Sequence, residues 1–408
     1  MVSQKILRLI AITAANSICT VRVAFADEQG LLRGRNLSDY SDPKSVQIKG
    51  NLDNLQCTPS MLEAISMQLP YNRCPMENSP CVSHCIETSC PEATWLERYY
   101  AEVVHTFPVT PFVGLSIGCN KGFDAVNTLR MGSNNPRFNK EDWKVAMFGN
   151  SADSAGACSQ GESPSVELNP AQMQRPASMH CVEPVPATVE RLVSSTASLG
   201  YNTNKDQKLI ISPFAISKDD EPSGLAFPTN AKAGKENLSL GKCNKESNWE
   251  EFGCQTVPVY SMDTYGSQFM AEDLKNPEQN INILSIDAEG YDFSILQGGQ
   301  KMLARSEYVE FEFHRYGTWR DHLLKDAVDM LDSLGFNCYW AGKGNLWRLN
   351  GENCFFEHYE TKCWSNVACA NRNLAPELAD IMEDTFLKTL RNKSFELRTY
   401  RFEKPNKV

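Results

Sequence analysis

Two carboxylates two residues apart, Asp287 and Glu289, close a short apolar run and are followed at once by Gly290. The run holds Ile281, Ile283, Leu284 and Ile286. It is too short and too β-branched for a helix and suits a buried parallel strand. Tyr291, Ile295 and Leu296 then fall at helical spacing. In open α/β sheets ligands bind outside the carboxyl ends of the strands, so both carboxylates stand where a ligand would sit. Asp287 is also suited to a plainer task, capping the helix that follows, because Asp is a favoured N-cap residue. A second bulky run, residues 308–313, leads to His314, with Glu312 two residues before it. A neutral imidazole titrates near working pH, which suits His314 as a general base; a structural histidine after a strand is the other reading.

Two further strand ends carry ligand-type residues. Residues 112–117 are apolar and lead into Gly118-Cys119-Asn120-Lys121-Gly122, after which residues 123–129 read as a helix. Glycines let the backbone approach a ligand closely, and a helix start offers free N–H groups. A dinucleotide fingerprint would need glycine at 116, 118 and 121, and only Gly118 meets it. The next strand signal ends at Glu183, where a carboxylate can accept hydrogen bonds from both hydroxyls of a ribose. Glu183 follows Gly122 by 61 positions rather than about 20, and a polar insertion, residues 132–177, accounts for the excess.

The pattern IDAEGYDFSILQGGQKML, followed at Tyr308 by YVEFEFH, resembles the FkbM family of S-adenosylmethionine-dependent methyltransferases. It matches at Ile286, Asp287, Glu289, Gly290, Leu296, Gly298 and Glu312, and departs at Ser285, where the family often has Lys. Gly118, Asn120 and Gly122 match the family's first motif; Cys119 replaces Ala and Ser116 an acidic residue. The Glu-Pro-x-Pro at 183–186 and Ala215-Ile216-Ser217 resemble two further segments, the second lying near the adenine in the family. Asp263 matches an element before the central strand.

The resemblance covers roughly residues 112–349. It implies a Rossmann-like class I methyltransferase fold of the α/β class, with a mostly parallel sheet and an antiparallel edge hairpin at residues 335–349. It implies S-adenosylmethionine held by Gly118, Asn120, Gly122, Glu183, Ala215 and Asp287. The reaction implied is methyl transfer to a hydroxyl of a sugar or polyol-type acceptor, with His314, Asp287 and Glu289 as catalytic residues and no metal. A secreted, non-catalytic module of the same fold is the alternative, favoured by Ser116, Ser285 and the insertions. A nicotinamide-dependent enzyme is disfavoured by the failed glycine fingerprint.

The remainder of the chain frames these elements. With 408 residues, 41% of them hydrophobic, a full core can be buried. The net charge of −10 and the lack of a Lys/Arg run offer no nucleic-acid footprint. Residues 1–26 read as a signal peptide: Lys5 and Arg8, an apolar stretch, then Ala24-Phe25-Ala26 as a cleavage site. The apolar stretch is short for a membrane span, so no stable membrane insertion is expected. Residues 27–60 read as a polar linker or stem, 61–110 as a cysteine-rich helical extension and 351–408 as a cysteine-containing segment with a final helix. The catalytic domain is then 111–350, with insertions at 132–177 and 230–253. Of 15 cysteines Cys19 leaves with the signal, and in an oxidising lumen most of the other 14 should pair. Cys81, Cys85, Cys90 and His84 could instead hold zinc, although their spacing matches no standard ligand set. Asn36, Asn237 and Asn392 stand in glycosylation triplets. Together these features place the chain in the lumen of the Golgi or endoplasmic reticulum, or outside the cell, with a small-molecule or glycan acceptor.

Overall fold

The computed structural model describes residues 22–26, 32–36, 55–68, 93–104, 110–149, 166–168, 172–235, 243, 253–355, 357–360, 362 and 364–391. The chain divides into two units, residues 1–51 and 52–408. In the first, β1 (Arg22–Ala26) pairs antiparallel with β2 (Leu32–Asn36). The possible zinc cluster at Cys81, His84, Cys85 and Cys90, and the triplets at Asn237 and Asn392, lie outside the described residues.

The second unit is built on an eight-stranded sheet among the described residues. Its parallel half comprises β3 (Phe112–Ile117), β4 (Ala177–Val182), β5 (Gln207–Ser212), β9 (Ile283–Ile286) and β10 (Tyr308–His314), in the order β5-β4-β3-β9-β10. Every residue of β3 and β4 is buried, as befits parallel strands covered on both faces. Helix α3 (Phe123–Ser133) packs on β3 and β4, α5 (Pro186–Ser198) packs on β5, and α4 (Lys140–Phe148) packs against both helices. Asn139 caps α4 by accepting from the N–H groups of Glu141 and Asp142, and Trp143 is buried in the core. The stretch read as an insertion from 132 therefore begins with the end of one helix and contains another.

The antiparallel half departs from the sequence reading. β11 (Phe336–Ala341) and β12 (Leu346–Arg348) form the anticipated edge hairpin. Between β10 and β11, however, lies β13 (Trp364–Asn371), antiparallel to both, in a segment that reads as loop. Apart from Trp364 and Val367 its residues are small or polar (Ser365, Asn366, Ala368, Cys369, Ala370, Asn371), while the paired strands β10 and β11 carry most of the bulky side chains. Cys338 and Cys369, opposite each other in the β11–β13 ladder, form a disulfide. α6 (Pro376–Arg391) lays Leu378, Ile381, Met382 and Phe386 on this half. Its Glu383 pairs with Arg348 of β12 and accepts from the hydroxyl of Tyr339 at 3.0 Å.

Two N-terminal helices, α1 (Pro59–Gln68) and α2 (Thr94–Glu102), belong to the same unit. Trp95 of α2 donates to the hydroxyl of Tyr308 on β10 at 3.2 Å, and Cys57 is bonded to Cys354. Residues 55–58 of the expected stem are thus anchored to the domain. The chain leaves the main sheet at Pro213, between β5 and the next strand. β5 stays in the main sheet, while β6 (Ala215–Ser217) joins β7 (Glu221–Pro228) and β8 (Cys254–Ser261) in a second, three-stranded sheet. The Cys243–Cys254 disulfide closes the loop before β8. Val185, Ala215, Phe227, Val257 and Val259 give this second sheet its own apolar cluster. No helix among the described residues is long and apolar enough to cross a membrane.

Candidate functional site

The carboxyl ends of β3, β4 and β9 open into one cavity, and the second sheet forms its remaining wall. Counting its solvent-open mouth, the space is about 810 Å³. Gly118 is the pivot of the turn after β3. It has φ of +77°, and a Cβ there would lie 1.7 Å from the carbonyl oxygen of Asp287. Only glycine fits a left-handed position against a neighbouring backbone at that distance. The N–H groups of Gly118 and Cys119 donate to Val182 O at 2.9 and 3.1 Å, and that of Asp287 to Ile117 O at 2.9 Å. Three strand ends are thereby fixed to one another at the cavity floor.

Glu183 is held by the same turn. Its Oε2 accepts from the N–H of Asn120 at 2.9 Å and its Oε1 from that of Val185 at 2.8 Å. The side chain belongs to a residue only 4% exposed. Burial pushes its carboxyl up to about 7, against the pull of those two N–H groups and with the help of the nearby negative Glu289. Each oxygen keeps a further lone pair for an incoming hydroxyl. A second covalent tie reinforces the arrangement: Cys119 is bonded to Cys181, two residues before Glu183. The small-for-small replacement read at Cys119 is therefore half of a cross-link.

Around Asp287 the site is rich in carboxyl groups. Its residue is open to the cleft yet set deep among protein atoms. Desolvation at that depth, then the charges of Glu312 and Glu289, hold its carboxyl well above the usual range. Asp287 and Glu312 share a hydrogen bond, an arrangement in which two carboxyl groups hold one proton between them. The strand register explains the meeting: Ser116, Ser285 and Glu310 stand side by side across β3, β9 and β10, and Asp287 and Glu312 follow two residues later on the same face.

Asp292, which the sequence reading passed over, holds the turn that aims Asp287 and Glu289. It is fully buried, and its carboxyl accepts from Gly290 N–H at 3.1 Å, with Glu312 N–H at 3.4 Å and Ala288 N–H at 3.5 Å. Burial pushes its carboxyl up to about 7 despite these donors. Glu289 and Gly290 are both left-handed, at φ of +52° and +96°. From the other side Thr318 donates its N–H and hydroxyl to Gly290 O at 2.8 and 2.9 Å.

Of the residues singled out in the sequence, Gly118, Asn120, Glu183, Ala215, Asp287 and Glu289 line the cavity. Gly122 instead begins α3 and packs toward Trp143 and Leu192. His314 is not part of the cavity wall. Its Nδ1 accepts from the N–H of Tyr316 at 3.1 Å, so the ring proton sits on Nε2, 3.8 Å from Glu312. Burial, and then the charge of Arg315, lower its pKa to about 4. A neutral imidazole whose acceptor nitrogen is occupied is not a proton acceptor. Beyond the anticipated residues, Phe214, Leu225, Phe227, Lys235 and Tyr291 complete the wall. Lys235 and Leu225 come from the region read as insertion and its approach, where no periodic signal marked them.

This sheet order, with an antiparallel strand inserted before the last parallel position and a glycine turn and acid at adjacent strand ends, is consistent with a Rossmann-like methyltransferase fold. Residues 155–338 match the methyltransferase FkbM domain, a match that supports a methyltransferase of the FkbM family. The matched segment contains Glu183, Asp287, Glu289, Asp292 and His314, whereas the turn at 118–122 lies before it and joins the site through the sheet. No curated protein and no solved structure matches the chain.

Proposed function

We propose that the chain is an S-adenosylmethionine-dependent O-methyltransferase acting on a hydroxyl of a sugar or other polyol. The observation that carries this reading is the convergence of the Gly118 turn, Glu183, Asp287 and Glu289 on one cavity, with Glu312 hydrogen-bonded to Asp287 behind it. The cavity suits a nucleoside at the Glu183 end. Gly118 leaves room where any side chain would collide, and Glu183 is buried with lone pairs to spare for ribose hydroxyls. Ala215, Phe214 and Phe227 offer an apolar wall for a base. S-adenosylmethionine supplies an electrophilic methyl group and leaves as a neutral thioether.

The protein's own task is positioning and proton removal. An acceptor hydroxyl lying over Asp287 loses its proton to the carboxyl group shared by Asp287 and Glu312, with Glu289 at the mouth to accept a second hydroxyl of the same sugar. His314 faces this pair with its Nε2 3.8 Å from Glu312, beyond hydrogen-bond distance. A raised carboxyl pKa brings the base nearer to working pH, which favours proton transfer. The disulfides, together with the signal-peptide reading of residues 1–26 and the glycosylation triplets, fit work in the secretory lumen or outside the cell. There the cofactor must be delivered, and a lumenal site is the easier one to supply.

Incubation of the secreted chain with methyl-labelled S-adenosylmethionine and a panel of free glycans and polyols tests the proposal. Label should enter a hydroxyl of at least one acceptor. Asp287→Asn should lower turnover by roughly 10²–10⁴-fold, the usual weight of an acid–base group. Cofactor binding without transfer to any acceptor would favour the non-catalytic module instead.

A further inference from the structure

We propose that the Cys119–Cys181 disulfide is a positioning element of the cofactor site and makes cofactor binding conditional on the oxidation state of that bond. The proposal rests on the cofactor reading above. Cys119 lies between Gly118 and Asn120, the two turn residues that line the cavity, and Cys181 lies on β4 two residues before Glu183. The bond therefore joins covalently the two segments that the Asn120–Glu183 hydrogen bond joins at the cavity floor.

The turn needs that help. Gly118, Asn120 and Gly122 are all left-handed, and Asn120 holds φ of +46° without a glycine's freedom. Hydrogen bonds to Val182 and Glu183 secure the turn to β4 only through main-chain donors. Reduction converts one covalent bond into two thiols. A dithiol reductant attacks one sulfur, forms a mixed disulfide and closes to its own cyclic disulfide, leaving Cys119 and Cys181 each with a proton. The two sulfurs must then part to nonbonded contact, which moves the turn away from β4 and lengthens the Asn120–Glu183 bond. Cys119 is 9% exposed and Cys181 fully buried, so neither thiol has open solvent to turn into.

Cys338–Cys369 provides the internal control. It also joins neighbouring strands, but in the β11–β13 ladder, away from the cavity wall.

The test compares C119A/C181A, C338A/C369A and the natural chain, each secreted whole. S-adenosylmethionine affinity is measured by calorimetry, and amide hydrogen exchange at residues 118–122 is measured without ligand. C119A/C181A should bind at least 10-fold more weakly and exchange at least 10-fold faster in the turn, while C338A/C369A matches the natural chain in both. Dithiothreitol should bring the natural chain to the C119A/C181A level, reversibly on reoxidation, which covers the case of a variant that does not fold. Unchanged exchange and affinity in C119A/C181A would overturn the proposal, as would equal losses in both variants. If the natural chain binds no cofactor, the cofactor reading fails; the exchange comparison then still decides whether this bond positions the turn.

Discussion

The two halves of the central sheet bury carboxylates in opposite ways. In the antiparallel half, Glu383 meets the guanidinium of Arg348, and Tyr339 donates to it as well. Arg348 also lies over the Phe386 ring at 4.5 Å and donates to Gln56 O at 3.1 Å. In the parallel half, Glu183 and Asp292 are more deeply buried than Glu383, yet their hydrogen bonds come from main-chain N–H groups. An ion pair satisfies its carboxylate and leaves nothing to offer. A carboxylate held only by amides stays poised, with a raised pKa and spare lone pairs. Left-handed backbone gathers at the binding end too: Gly118, Asn120, Gly122, Glu289 and Gly290 stand at the ends of β3 and β9, although Gly335, Gly344, Gly351 and Asn353 are left-handed around β11 and β12. Glu383 is thus neutralised where it stabilises the fold, whereas Glu183 and Asp292, at the strand ends that form the cavity, have main-chain amides and no cation.

Breaking the pair in the antiparallel half should have the largest effect on stability. Arg348→Met leaves Glu383 buried without its cation and should cost about 3–5 kcal/mol in denaturant unfolding. Cofactor affinity of the folded fraction should not change; a parallel loss of affinity would erase the distinction between the halves. Gly118→Ala should do the reverse. The added Cβ drives the turn off Asp287, and cofactor affinity should fall at least 100-fold, about 2.7 kcal/mol. Near-natural binding by this variant would show that the turn is not part of the ligand floor. Asp292→Asn removes a carboxylate acceptor from the Gly290 turn. It should lower stability by roughly 1–3 kcal/mol and slow turnover more than it weakens cofactor binding. An unchanged turnover would assign Asp292 to folding alone.

The smallest effect is the pH slope of the ligand-free protein. Glu183 titrates near 7 when folded and in the ordinary carboxylate range when unfolded, so the folded state holds its proton more tightly. Its contribution to stability is present below the unfolded pKa of about 4.5 and is lost as pH rises through about 7. Stability should therefore fall between these values, by on the order of 1 kcal/mol per pH unit for a group of this kind. Glu183→Gln should flatten that slope in thermal melts at stepped pH. A slope that is unaltered would place the titration elsewhere, with Asp292 the next group to replace.

Much of the parallel half was legible because its signals are local. Apolar runs of strand length end in Gly118, Glu183 and Asp287, and each run keeps its side chains buried. What the sequence concealed depends on partners far along the chain. β13 is built mostly of small or polar residues whose neighbours on β10 and β11 supply most of the bulk, so no periodic hydrophobicity marks it. β7 is largely half-exposed and acquires its partner only when the chain folds back at β8. Asp292 reads as an ordinary first-turn helix acid, and its task is visible only once Gly290 N–H is seen beneath it. For His314 the residue type suggested a base, but the fate of its Nδ1 depends on the path of the chain at Tyr316.

Calorimetric titration of the natural chain and Glu183→Ala with S-adenosylmethionine and its demethylated product tests the central claim most directly. Micromolar binding by the natural chain, lost in Glu183→Ala, is the expected result. A well-folded natural chain that binds neither ligand at millimolar concentration would contradict the cofactor site and the methyl-transfer reaction built on it.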